Sequence, residues 1–265
     1  MGVPAEARLP LRAYHAALIF KNGVPVGYFE GLALFERMES GFNLYYTFRE
    51  GETAWLYARI LRLMKQLFGV TAFSIDPYQV GHENEEGIES GAFWFYRKLG
   101  FRPTRPDLLK LTLSEERRIA ADPHRRTSAR TLRKLAAGHM FFDLSDASTT
   151  VGTWDRFQIR RVGLAVQGRM ARDFDGNAQK MRRNSMALVE RTLGPQTSDE
   201  TAAERSALEN LAVLFAMMEI GRWDSSDKQL AARIIRAKGS GDEALYLKLM
   251  QQHSSFRAEV IRLGS

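Results

Sequence analysis

The chain has 265 residues and is predicted to be an α/β domain followed by an all-α domain. Two observations carry that expectation. Extended apolar runs joined by short glycine turns fill the first part of the chain, with two glycine-stopped helical runs among them. From about residue 111 the strand signals stop and helix caps recur. The boundary is therefore set at about 110, giving domains 1–110 and 111–265.

The first strand is expected over Tyr14 to Lys21. Asn22-Gly23 follows, a pair suited to the φ > 0 positions of a two-residue hairpin turn. Val24 to Phe35 resumes the extended pattern, and Gly27 and Gly31 within it mark bulges or a close backbone approach. Gly41 opens a third run, Phe42 to Phe48, so the three strands form an antiparallel meander. A helix is expected from about Ala54 to Phe68. Its polar positions Arg59, Arg62, Lys65 and Gln66 form a narrow stripe, which predicts a mostly buried helix stopped by Gly69. Val70 to Ile75 reads as a short strand ended by Asp76-Pro77. An acidic loop, Gly81 to Glu89, leads to a helix from Ser90 to Leu99 stopped by Gly100, and Phe101 to Thr104 starts another strand.

In the second part Ser114, then Thr127 or Ser128, are expected to cap helices, the latter ending at Gly138. Thr153 to Phe174 and Asn177 to Leu193 are amphipathic, the second halted by Gly194-Pro195. Thr197-Ser198-Asp199-Glu200 fits a capping box before a helix to about Ile220. Asp224 to Lys238 and Asp242 to Leu263 complete an irregular bundle, with a break near Ser254.

Composition narrows the function classes. There is no cysteine, which excludes disulfides, thiolate metal sites and a cysteine nucleophile. No apolar run is long enough to span a bilayer, and the N-terminus carries no signal-peptide pattern, so the expectation is a cytoplasmic protein without a membrane partner. The net charge of +7 is uneven: 13 basic and 12 acidic residues up to 110, 25 and 19 beyond it. The basic clusters of the second part are interleaved with acids and no nucleic-acid-binding motif accompanies them, so nucleic acid is not the expected partner. The five histidines show no paired ligand spacing, and Asp173-Phe174-Asp175-Gly176-Asn177 has its glycine too early for a calcium loop, so no metal is expected.

The most specific text is Ser90-Gly91-Ala92-Phe93-Trp94-Phe95-Tyr96-Arg97-Lys98-Leu99-Gly100-Phe101. It resembles the last helix of the GNAT superfamily of acyl-CoA N-acyltransferases, where an Ala, an apolar-Tyr pair and Lys-apolar-Gly-Phe recur. Ala92, Phe95-Tyr96, Lys98, Leu99, Gly100 and Phe101 fall in register, and the order of elements agrees over about residues 14–105. The resemblance implies a partial GNAT-like mixed sheet with two helices. It also implies acetyl-CoA or another acyl-CoA as co-substrate, and transfer of the acyl group to an amine.

In this family a loop of pattern Gln/Arg-x-x-Gly-x-Gly/Ala holds the cofactor pyrophosphate at a helix N-terminus. The corresponding stretch is Arg49, Glu50, Gly51, Glu52, Thr53 and Ala54, with Glu52 standing at the glycine position. The resemblance gives Tyr96 the role of general acid toward the leaving thiolate, and Glu30, on the second strand, is the preferred general base. Glu36, Glu39, Glu83, Glu85, Glu86 and Glu89 are the other carboxylates in range of that role. Glu89 stands where the family often has Asn. The family's opening strand and two helices have no counterpart in the 13 or so residues before the first strand.

Two functions stay open. One is acyl transfer from acyl-CoA to an amine. The other is a catalytically inactive relative, or the C-terminal piece of a longer acyltransferase-like protein, that binds a protein partner or a second copy through its helical domain.

Overall fold

A computed structural model describes residues 7–45, 48, 51–122, 124–144, 154–194 and 201–265. The chain divides into two compact units. The first in space is built on a sheet and takes its described residues from 15–32 and 36–155. The second takes them from the segment ending at Tyr14, from Ala33–Phe35, and from Arg156 onward.

The sheet has six strands in the order β1-β2-β3-β4-β6-β5: β1 (Ala13–Lys21), β2 (Val24–Leu34), β3 (Arg37–Leu44), β4 (Ala72–Ile75), β5 (Arg102–Pro103) and β6 (Met140–Asp143). Asn22 and Gly23 turn β1 into β2 with φ of 52° and 80°, as their sequence requires. Gly27 is the close approach expected of it, since a Cβ there would strike the Asn43 carbonyl and Leu44. Strand β3 begins earlier than the expected Phe42, because the chain reverses at Phe35-Glu36, with Phe35 itself at φ 53°. Gly41 therefore lies inside a strand rather than ahead of one.

Helix α1 (Thr53–Phe68) connects β3 to β4, which pair in parallel from Arg37↔Ala72 to Glu39↔Ser74. The expectation that α1 is mostly buried is corrected. Only Tyr57, Leu61 and Met64 are buried, while Trp55, Leu63 and Leu67 are exposed. One stripe at spacings of four and three meets the core, and the apolar residues outside it face solvent. The acidic loop is also corrected. Pro77–Val80 forms a single 3₁₀ turn and Glu85–Glu89 forms α2, capped by Asn84, whose Oδ1 accepts from the Gly87 amide at 3.3 Å. Gly91, at φ 66°, separates α2 from α3 (Ala92–Lys98), so the expected helix from Ser90 starts two residues late.

The boundary at 110 is not where the units divide. Helices α4 (Pro106–Ala121) and α5 (Ala129–Leu135) are followed by β6, which pairs antiparallel with β4 and with β5. A strand at Met140–Asp143 thus lies in a stretch expected to be helical, and it keeps everything up to Asp155 with the sheet. Its run is four residues, too short to show a period. Ser114 sits inside α4 instead of capping it, because Pro106, with φ already helical, opens that helix. Ser128 caps α5 as expected.

The second unit holds α6 (Ile159–Phe174), α7 (Ala178–Leu193), α8 (Ala202–Phe215), α9 (Ser225–Ser240), α10 (Glu243–Gln252) and α11 (Ser254–Gly264). Asp173–Asn177 is the α6–α7 junction, with Asp175 and Gly176 at positive φ. The capping box of α8 uses Thr201 and Glu204; the expected residues Thr197 to Glu200 lie outside the described residues, as does Thr153. Leu208, Leu211, Phe215, Ile235, Tyr246 and Phe256 form its core.

Candidate functional site

A cleft of about 590 Å³ opens in the sheet unit. Its origin is the unequal length of a strand pair. β4 ends at Ile75, whereas β3 runs on to Leu44. Phe42, Asn43 and Leu44 therefore form one wall, and the turn carrying Tyr78 and Gln79, with α2 behind it, forms another. Thr53 of α1 and Phe95 and Tyr96 of α3 also line it.

Tyr96 is 3% exposed, and its ring stands edge-on to Tyr57 and Phe101. Its hydroxyl has no hydrogen-bond partner among the described residues. Burial pushes its pKa up, so the phenol keeps its proton at neutral pH. Tyr57, below it, shares a 2.6 Å hydrogen bond with Ser40 of β3, and burial raises its pKa as well. Two protonated phenols thus sit under the cleft, of which only Tyr96 lines it.

The segment expected to hold phosphate is placed in part. Arg49 and Glu50 lie outside the described residues. Gly51 is exposed with open space around it. Glu52 is the N-cap of α1, and its own side chain makes no capping hydrogen bond. Its carboxylate is 3.0 Å from Lys21 Nζ, so its charge is matched across the gap to β1. Thr53 and Ala54 open the helix, and Thr53 lines both the main cleft and a second pocket of about 180 Å³ bordered by Lys21, Glu52 and Trp55. The N-terminus of a 16-residue helix carries a partial positive charge, suited to an anion.

Glu30 is half-buried on β2 and is not one of the cleft-lining residues. Its Oε2 lies 3.9 Å from where a Cβ of Gly41 would stand, and Gln79 Nε2 lies 3.8 Å from the same point. Of the two, Gln79 lines the cleft and Glu30 does not. The other acids scatter. Glu36 accepts from Trp154 Nε1 at 2.7 Å, Glu85 pairs with Arg133 at 2.7 Å, and Glu86 lines the cleft.

One constellation has no counterpart in the sequence reading. Glu39, Asp76 and His139 bring one ligand atom each within 4.8 Å of the others. His139 Nε2 is 3.6 Å from Asp76 Oδ2. Burial holds the His139 pKa down, the nearby Arg37 guanidinium lowers it further, and the two carboxylates pull the other way. The imidazole is therefore neutral at pH 7 and able to accept a proton. The same Arg37, which donates to Ser74 Oγ at 3.1 Å, opposes a divalent cation there. These residues share one sheet face with Gly41, by the two-residue alternation of β3. Nothing in their spacing announces them, because only the antiparallel β4–β6 register sets His139 opposite Asp76.

Searches of protein-family models, of curated proteins and of solved structures each found no match to this chain. No helix among the described residues is long and apolar enough to cross a membrane.

Proposed function

We propose that the sheet unit binds an acyl-CoA and transfers its acyl group to an amine. The observation that carries this reading is the cleft beside the stretch of β3 that runs on past the end of β4, with the N-terminus of α1 on its rim and Tyr96 in its wall. Support comes from Thr53, Phe42 to Leu44 and Tyr96, which line the cleft and belong to three of the segments that the resemblance assigns to the cofactor.

The pyrophosphate would rest on the backbone amides at Gly51 to Ala54, with Lys21 beside them. The amine nitrogen would attack the thioester carbonyl carbon, the C–S bond would break, and the departing sulfur would take the Tyr96 hydroxyl proton. Burial suits Tyr96 to that role, since a phenol that stays protonated is a donor at neutral pH. The proton lost by the amine would pass to Glu30, directly or through water, with His139 and Glu39 as a second acceptor pair on the same face.

The second reading, a catalytically inactive binding module, is supported by Glu52, the N-cap of α1, which stands where the resemblance expects a glycine. Calorimetric titration with acetyl-CoA separates the two. Acyl transfer requires saturable binding by the natural chain, and release of free thiol when amines are added. Binding gained only by Glu52→Gly, with none by the natural chain, supports the inactive module. Absence of binding in both chains overturns the acyl-CoA reading altogether.

A further inference from the structure

The helical unit has a groove of its own, of about 450 Å³, between α6, α7, α8 and the segment Leu9–Arg12. Its walls are apolar, with Val162 and Leu211 at the floor and Val166 packed beside the cluster of Phe174, Met181 and Val213. Three charged side chains line it: Arg12, Arg182 and Glu209. Glu209 lies 3.7 Å from the Arg205 guanidinium, so its charge is matched from outside the groove. Arg182 and Asn210 have no hydrogen-bond or ion-pair partner among the described residues.

We propose that this groove binds a long-chain fatty acid. The volume and apolar walls suit a single hydrocarbon chain, and pockets of this size and composition are typical of small-molecule sites. Arg182 selects the headgroup. A guanidinium without a partner takes a carboxylate through two parallel hydrogen bonds, and the Asn210 amide adds a donor. This site belongs to a different unit from the acyl-CoA cleft, so its failure leaves that reading untouched.

Gly163 supplies the test. It lines the groove, and a Cβ added to it meets nothing within 4 Å. Gly163→Leu therefore adds a branched apolar side chain to the groove lining with no clash at its Cβ, and it exchanges a poor helix former for a good one. The full-length chain is titrated with cis-parinaric acid, followed by its fluorescence, and the probe is displaced with dodecanoate or dodecanol. The expected result is saturable binding at one site, abolished by Gly163→Leu with the melting temperature unchanged or raised. Arg182→Gln should weaken dodecanoate about tenfold while leaving dodecanol unchanged. Three results overturn the proposal: no saturable binding, binding retained in Gly163→Leu, or equal weakening of acid and alcohol by Arg182→Gln.

Discussion

A phenol buried beneath a cleft is costly to ionise but free to donate, and Tyr96 is such a group. Tyr96→Phe removes only the hydroxyl, which bonds to nothing among the described residues, so the aromatic packing on Tyr57 and Phe101 persists. Acetyl-CoA affinity should hold, while thiol release should fall by about 10²–10³-fold, the usual loss of a general acid. His253 makes a different prediction. It is fully buried, its Nδ1 accepts from the Phe256 amide at 3.2 Å, and Nε2 has no partner among the described residues. Burial depresses its pKa, against the pull of Asp227 and Asp224. A depressed value in the folded state means that the unfolded chain binds the proton first. Its stabilising contribution is thus complete above the ordinary histidine pKa of about 6.5 and is lost as pH falls through the folded value. His253→Asn keeps an acceptor for the Phe256 amide and removes the titration. Denaturant unfolding between pH 7 and 5 should show a shallower loss of stability than in the natural chain. Tyr96 and Thr53, which line the cleft, were within reach of the sequence because each lies in a contiguous stretch of text. The Glu39–Asp76–His139 group was not, because strand register alone assembles it.

Elements were most legible where a local rule sets them. Asn22-Gly23 demanded a hairpin, Ser128 and Asn177 demanded helix starts, and Gly69 demanded a stop, and all four stand where their chemistry puts them. Elements that depend on distant partners were not legible. β6 exists because β4 and β5 offer it backbone bonds, and the packed face of α1 is chosen by the sheet rather than by its own composition. That choice can be measured. Leu61→Ala, at a buried position, should cost about 2–5 kcal/mol in denaturant unfolding. Leu67→Lys, at a position 61% exposed on the same helix, should change stability by less than about 0.5 kcal/mol. Equal losses would mean that the outer face of α1 is covered after all.

At the scale of the molecule, the helical unit is assembled from three separate stretches of chain. The Tyr246 hydroxyl donates to the Leu11 carbonyl at 2.7 Å, Lys238 Nζ donates to the Arg12 carbonyl at 3.1 Å, and Gln251 Nε2 donates to the Phe35 carbonyl at 3.0 Å. Lys238 is also held by both Glu243 oxygens, at 2.8 and 2.9 Å. The excised segment 156–265 lacks all three carbonyl acceptors. Lys238 keeps Glu243, whereas the Tyr246 and Gln251 donors lose their acceptors, at about 1–3 kcal/mol for each that stays buried, against a total stability of about 5–15 kcal/mol for a domain. The segment should therefore lack a cooperative thermal transition in circular dichroism, although the helices are encoded within it.

The same interleaving sets a timetable for biosynthesis. Leu11 and Phe35 leave the ribosome early, and their acceptors wait for partners near positions 246 and 251. At about 5–20 residues per second, the delay is on the order of ten seconds or more. During the first part of it β4 stands without β6, so one of its backbone edges stays unpaired until residues 140–143 emerge. Nascent chains stalled before residue 140 should therefore be bound by general chaperones far more than chains released at full length.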